Sequence, residues 1–125
     1  MKITCGTDIL ENSRIMDAVT RSERFLEKNF TPEEIQYCKS RKAVMAQSLA
    51  ARFAAKEAVA KALGTGFFGV VQPIQIEILN DKKGKPYVVL GEEVKRDFPD
   101  VIDISISLSH CNDYPVAYAV ITFKE

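Results

Sequence analysis

The sequence predicts an α+β fold, with an antiparallel sheet packed against one long helix and several shorter ones. Three observations carry this. The chain opens on a short apolar strand and then runs through helical composition as far as residue 63. Beyond that point it is mostly strand-like, with the turns "NDKKGKP" and "CNDYP" joining alternating segments. Strands joined by such turns pair antiparallel, whereas a doubly wound parallel sheet needs helices between its strands.

The elements follow in order. Residues 2–9 read as a strand, with Ile3 and Cys5 on one side and Thr4 on the other before Gly6 interrupts. Glu11 to about Lys28 is helical in composition with a weak pattern. "FTPEEI" starts a helix: Thr31 is the N-cap, Pro32 the first helical residue and Glu34 the partner in a capping box, and the helix ends near Ser40. The principal helix is expected from about Lys42 to Leu63, alanine-rich for close packing, with Gly64 closing it and "GTGFFG" as the loop beyond. "IQIEIL" alternates Ile74, Ile76 and Ile78 against Gln75, Glu77 and Leu79, so it is a half-buried strand, and "YVVL" is the second arm of its hairpin. "EEVKRDF" is a short helix. "DISISLSH" alternates apolar residues against serines, and "VAYAVITF" is the last strand.

The 125 residues are expected to form one domain, spanning 1–125, or one subunit of a small oligomer. Seventeen basic and seventeen acidic residues cancel, so no bulk field draws nucleic acid or an anionic membrane, and an anionic partner must be held by a local cluster. An Arg/Lys helix without an interleaved aromatic and basic strand also argues against a nucleic-acid binder. Cys5, Cys38 and Cys111 lack zinc-like spacing and there is a single histidine, which argues against structural zinc and for reduced thiols. No secretory h-region or membrane-length apolar run is present, so a soluble cytoplasmic protein is expected.

In the principal helix, counted at 100° per residue from Met45, the residues Met45, Leu49, Phe53, Ala60 and Leu63 share an apolar stripe. Arg52 and Lys56 fall inside it, Glu57 lies on its edge and Lys61 further round. A dry core alone gives no reason for two cations there. Glu57 and Lys61 stand four apart, the spacing of a surface ion pair worth roughly 0.2–0.5 kcal/mol. The other reading adds the glycine loop: Arg52, Lys56, Glu57 and Lys61 gather phosphates and a magnesium ion, which takes one or two carboxylates plus substrate oxygens. The loop follows a helix C-terminus, so the helix dipole does not favour an anion and the lysines must. Asp8 is either a turn or N-cap aspartate or a carboxylate on a rigid strand, beside a glycine that permits close backbone approach. "GKP" (Gly84, Lys85, Pro86) has a plain explanation in hairpin-turn chemistry. Ser109 and His110 stand at a strand end, within reach of a phosphate or an adenine ring.

The order of these signals is more specific than any one of them. "GTDI.E..RI" (Gly6 to Ile15), "ERF" (Glu23 to Phe25), "FTPEE" (Phe30 to Glu34), "RFAAKEA..KA.GTG" (Arg52 to Gly66), "GKP" (Gly84 to Pro86) and "S.SH" (Ser107 to His110) occur in sequence. Together they resemble the holo-acyl-carrier-protein synthases, the small bacterial 4′-phosphopantetheinyl transferases, over nearly the full chain. The resemblance implies transfer of 4′-phosphopantetheine from coenzyme A to a serine of apo-acyl-carrier protein, for fatty acid biosynthesis, with release of adenosine 3′,5′-bisphosphate. It implies Mg²⁺ as cofactor, with Asp8 and Glu57 as its ligands and Lys61 on the pyrophosphate. Gly64 and Gly66 belong to the same coenzyme-binding motif. Gly84, Lys85, Pro86, Ser109 and His110 would lie at the adenosine and 3′-phosphate end, with Arg52 also on a phosphate. Arg14 would dock the acidic helix of the carrier. Family members are trimers with active sites between subunits, so a homotrimer is expected. The base for the serine proton stays open between Glu57 and a magnesium-bound water, and the role of Lys56 is undecided. A non-catalytic module binding coenzyme A or the carrier is the alternative, which the presence of both carboxylates disfavours.

Overall fold

The computed structural model describes residues 1–125. Its elements run β1 (Lys2–Ile9), α1 (Asn12–Arg21), α2 (Phe25–Asn29), α3 (Pro32–Ser40), α4 (Met45–Leu63), β2 (Ile76–Asn80), β3 (Pro86–Leu90), α5 (Glu92–Asp97), β4 (Val101–Cys111) and β5 (Tyr114–Phe123). The α+β class holds, with the strands in two antiparallel sheets rather than one: β1-β5-β4 and the hairpin β2-β3. In the larger sheet the first and last strands lie side by side, Gly6 opposite Ala119 and Asp8 opposite Ala117.

Helix α4 lies between the larger sheet and the shorter helices, and the expected single stripe is the main correction to it. Eleven of its nineteen residues are buried, distributed around the helix, because β1 and β5 cover one side while α1 and α3 cover another. A helix buried on all sides needs small residues more than a stripe, which is what its alanines supply. It also begins later than expected. Lys42–Val44 form a 3₁₀ turn, with Lys42 at φ 49°, and the α-helix starts at Met45. At the other end Gly64 takes φ 94° and its N–H donates to the Lys61 carbonyl, a left-handed stop suited to glycine.

Two other expectations are corrected. Glu11–Lys28 is two helices, because Ser22 turns extended (φ −140°) while its N–H still donates to the Ala18 carbonyl. The strand within "IQIEIL" starts only at Ile76. Pro73–Gln75 forms a 3₁₀ turn, and Gln75 accepts the Gly91 N–H at 2.7 Å. The capping box of α3 is present as read: Glu34 N–H donates to Thr31 Oγ1 at 3.3 Å and Thr31 N–H donates to Glu34 Oε1 at 3.0 Å.

The sheet β1-β5-β4 has helices on one face only. On the other face Ile3 and Ile9 are 65% and 61% exposed, beside Val116 and Tyr118. So the apolar side of β1, Ile3 and Cys5, points outward, and its small and polar side, Thr4, Gly6 and Asp8, points at α4.

Candidate active site

Gly6 sets the geometry. A Cβ built there would lie 2.1 Å from the Ala58 carbonyl oxygen of α4, an approach only glycine permits. Thr4, on the same side of the strand, donates from Oγ1 to the Ala62 carbonyl at 2.6 Å and locks the crossing. Asp8 follows in phase and meets the outer turns of α4. Lys61 Nζ donates to the Thr7 carbonyl at 2.9 Å and to Asp8 Oδ1 at 3.3 Å. Lys61 is therefore turned to β1, and its ion pair is with Asp8. Asp8 sits within the β ladder opposite Ala117, and Glu11 is the N-cap of α1, so Asp8 caps nothing.

Glu57 is half-buried close to both. Burial first, and then the neighbouring Asp8 carboxylate, push its carboxyl above the ordinary value, with the Lys61 ammonium pulling the other way. A carboxylate set this close to a second one suits a cation. No group of three or more His, Cys, Asp or Glu side chains is placed to hold a metal ion, so any ion here would need oxygens from elsewhere.

A second feature lies across α4. A cleft of about 490 Å³ is lined by Tyr37 and Arg41 from the end of α3, Ser48 and Arg52 from α4, Asn80, Gly84, Lys85 and Pro86 from the hairpin, and His110 from β4. Arg52 is 4% exposed. Its guanidinium lies 4.2 Å from the Tyr37 ring centroid, donates from Nη1 to Ser48 Oγ at 3.3 Å and from Nη2 to Asn80 Oδ1, and leaves Nε without a partner. A guanidinium that shares this cleft with Lys85 and His110 has the charge and donors that suit an anion.

Residues 4–119 match the 4′-phosphopantetheinyl transferase superfamily. The chain belongs to this superfamily. The holo-[acyl-carrier-protein] synthase of Ruminiclostridium cellulolyticum is 53% identical, the match covering 100% of this chain and 96% of that protein. That of Protochlamydia amoebophila is 46% identical over 96% of this chain and 98% of its own. Among solved structures, holo-[acyl-carrier-protein] synthase from Neisseria meningitidis superposes with a TM-score of 0.86 at 34% identity, covering 95% of this chain and 97% of that one. The Helicobacter pylori enzyme in complex with coenzyme A gives a TM-score of 0.84 at 33% identity, covering 94% and 99%.

In the transferase the sequence-predicted residues divide into two groups. Asp8, Glu57 and Lys61 meet at the Gly6 crossing, and Gly64 and Gly66 end the helix just beyond. Arg52, Gly84, Lys85, Pro86 and His110 share the cleft. Ser109 does not line it: opposite Val116 in the ladder, it falls on the open face of the sheet. Arg14 is exposed on α1, which follows directly on the strand that carries Asp8. Lys56 is not a phosphate ligand. It is completely buried, and Nζ donates to Glu34 Oε1 at 2.8 Å, the Pro73 carbonyl at 2.8 Å and the Ile76 carbonyl at 2.7 Å. One of the two cations in the stripe thus serves the core of a single subunit and supplies no reason for an oligomer. Sequence reading missed Tyr37, Arg41, Ser48 and Asn80 in the cleft. "KSRKAV" was a legible cluster of cations at its edge.

Proposed function

We propose that this transferase moves the 4′-phosphopantetheine group of coenzyme A onto a serine of apo-acyl-carrier protein and releases adenosine 3′,5′-bisphosphate. The observation that carries the reading is the meeting of Asp8, Glu57 and Lys61 where Gly6 lets α4 touch β1. It combines two hard carboxylates with a half-exposed ammonium that spends two N–H groups on β1 and has a third for a substrate oxygen.

Asp8 and Glu57 are the residues that would hold Mg²⁺, and their mutual proximity and the lack of a third ligand side chain suit an ion completed by phosphate oxygens. When bound, the ion neutralises and orients the pyrophosphate. The chain's own groups do the rest. The serine oxygen forms its bond to the pantetheine phosphorus as the bond to the bridging pyrophosphate oxygen breaks. Lys61 Nζ stabilises the charge that grows on the departing bisphosphate. Glu57, its carboxyl raised by burial and Asp8, is suited to take the serine proton. Arg52, Lys85 and His110 hold the adenosine and its 3′-phosphate in the cleft they share.

We read the working form as a homotrimer with sites between subunits. Arg52 and Glu57 are five residues apart, about 140° round α4, so the helix itself separates the two halves. Asp8 and His110 lie on β1 and β4, the opposite edges of the sheet. The exposed apolar face of Ile3, Ile9, Val116 and Tyr118 supplies a surface for self-association, and Ser109 stands on it. Arg14, on the helix next to Asp8, is assigned to the acidic carrier. A single domain over residues 1–125, working in the cytoplasm, fits a chain in which no helix is long and apolar enough to cross a membrane. Chromatography of the nucleotide products tests the reaction. Adenosine 3′,5′-bisphosphate should appear with apo-carrier present and not with a carrier whose serine is alanine. Equal release in both would reject the transfer.

A further inference from the structure

We propose that Asn80 is a positioning residue that holds the two cations of the cleft, Arg52 and Lys85, in a fixed relation to each other. Asn80 is the last residue of β2 and pairs in register with Pro86, which has no N–H to give the ladder. The turn carrying Lys85 is therefore tied down by other bonds. Asp81 accepts the Lys83 and Lys85 N–H groups on Oδ1, each at 2.9 Å, and Asn80 Nδ2 donates to the Gly84 carbonyl at 2.9 Å. The other end of the same amide, Oδ1, accepts from Arg52 Nη2. One planar group thus joins the hairpin turn to the guanidinium, and only one orientation of it works. Reversed, the amide would set donor against donor at Arg52 and acceptor against acceptor at Gly84. Aspartate supplies the acceptor without the donor, and leucine supplies neither.

The rest of the Arg52 environment explains why this bond matters. The Tyr37 ring lies against the guanidinium and Ser48, from the same helix, holds Nη1. Neither ties Arg52 to the hairpin. Asn80 is the link from α4 to the turn, so it sets the spacing between the Arg52 and Lys85 charges that an anion would bridge. The inference rests on the reading above that this cleft takes the phosphate-bearing nucleotide of coenzyme A.

A double-mutant cycle tests it. KM for coenzyme A, KM for apo-carrier and kcat are measured in the full-length protein for Asn80→Leu, Arg52→Ala and the pair, with folding checked by circular dichroism. Asn80→Leu should raise KM for coenzyme A roughly tenfold, the weight of a hydrogen bond to a charged group. The carrier KM and kcat should stay within about twofold, since the Asp8–Glu57–Lys61 corner lies across α4 and the positioning effect is one of binding. In the Arg52→Ala background the same change should add less than about twofold, because there is nothing left to position. An equal factor in both backgrounds, or a carrier KM that moves in step, would overturn the positioning role and leave Asn80 as a hairpin residue. An unchanged KM for coenzyme A in Arg52→Ala alone would reject the assignment of the cleft itself, and this inference with it. If Asn80→Leu does not fold, Asn80→Ser, too short to span both partners, takes its place in the cycle.

Discussion

Replacing Lys56 by methionine keeps most of the side-chain volume and removes one charge from the most enclosed polar cluster in the molecule. Lys56 and Glu34 both have no exposure. The ammonium satisfies all three of its N–H groups on Glu34, Pro73 and Ile76, while Glu34 also accepts the N–H groups of Thr31 and Ile78. Burial pulls the Lys56 ammonium below its ordinary range, and the Glu34 charge works against that pull. Removing one partner of such a pair leaves a buried charge without compensation, at a cost of about 3–5 kcal/mol. That is a large share of the roughly 5–15 kcal/mol that holds a domain folded. At about 4 °C per kcal/mol for a chain of this size, the midpoint of thermal unfolding should fall by roughly 12–20 °C. Urea unfolding followed by circular dichroism, at one fixed protein concentration, should show a lower midpoint with an unchanged m-value. Adding Glu34→Gln should return part of the loss, because no charge then remains buried and glutamine still completes the capping box. A loss below about 1 kcal/mol for Lys56→Met, or a double mutant that loses the full sum of the singles, would refute this reasoning.

Four other substitutions probe the Asp8–Glu57–Lys61 corner and its surroundings. Asp8→Asn and Glu57→Gln should each lower turnover on the order of a hundredfold with the fold intact, and the double mutant should be scarcely worse than either single, as residues acting together are not additive. Glu57→Gln should also change the dependence of stability on pH. The folded carboxyl is raised above its ordinary value of 4.5, so its contribution is full below that value and is lost as pH rises through the folded value. The glutamine variant lacks that loss and should be the more stable form at neutral pH, and equal pH profiles would contradict a Glu57 carboxyl raised by burial and by Asp8. Gly6→Ala sets a methyl 2.1 Å from the Ala58 carbonyl oxygen, so α4 must move off β1. Stability should drop by about 1–3 kcal/mol and turnover should drop with it, and a variant as active as the parent would show that the close crossing does not set the site. Arg14→Glu should raise KM for the carrier roughly tenfold, less so at high salt, with KM for coenzyme A nearly unchanged, and an equal rise in both would move Arg14 into the coenzyme site.

What the sequence made legible follows the range of each interaction. Thr31, Pro32 and Glu34 announce their helix start because a capping box is local, and all of its partners lie within four residues. Asp8, Glu57 and Lys61 are far apart along the chain, and they were readable as a group only through their resemblance to a family pattern. Nothing local says that Gly6 brings them together. Lys56 was illegible for the opposite reason. Its partner Glu34 already had a complete local explanation as a capping residue, and its other two acceptors are backbone carbonyls, which leave no mark in a sequence. The outward-facing apolar residues of β1 were misleading in the same way: alternation at Ile3 and Cys5 gives a face but does not say which face is covered. Asn80 was invisible because asparagine before a turn needs no further reason.

The mass of an acyl-carrier protein after incubation with this transferase, coenzyme A and Mg²⁺ tests the central claim most directly. Intact-protein mass spectrometry should show one added 4′-phosphopantetheine group per carrier, located on a single serine. The gain should be strongly reduced with Asp8→Asn or Glu57→Gln. A carrier whose mass does not change with any divalent metal would contradict it.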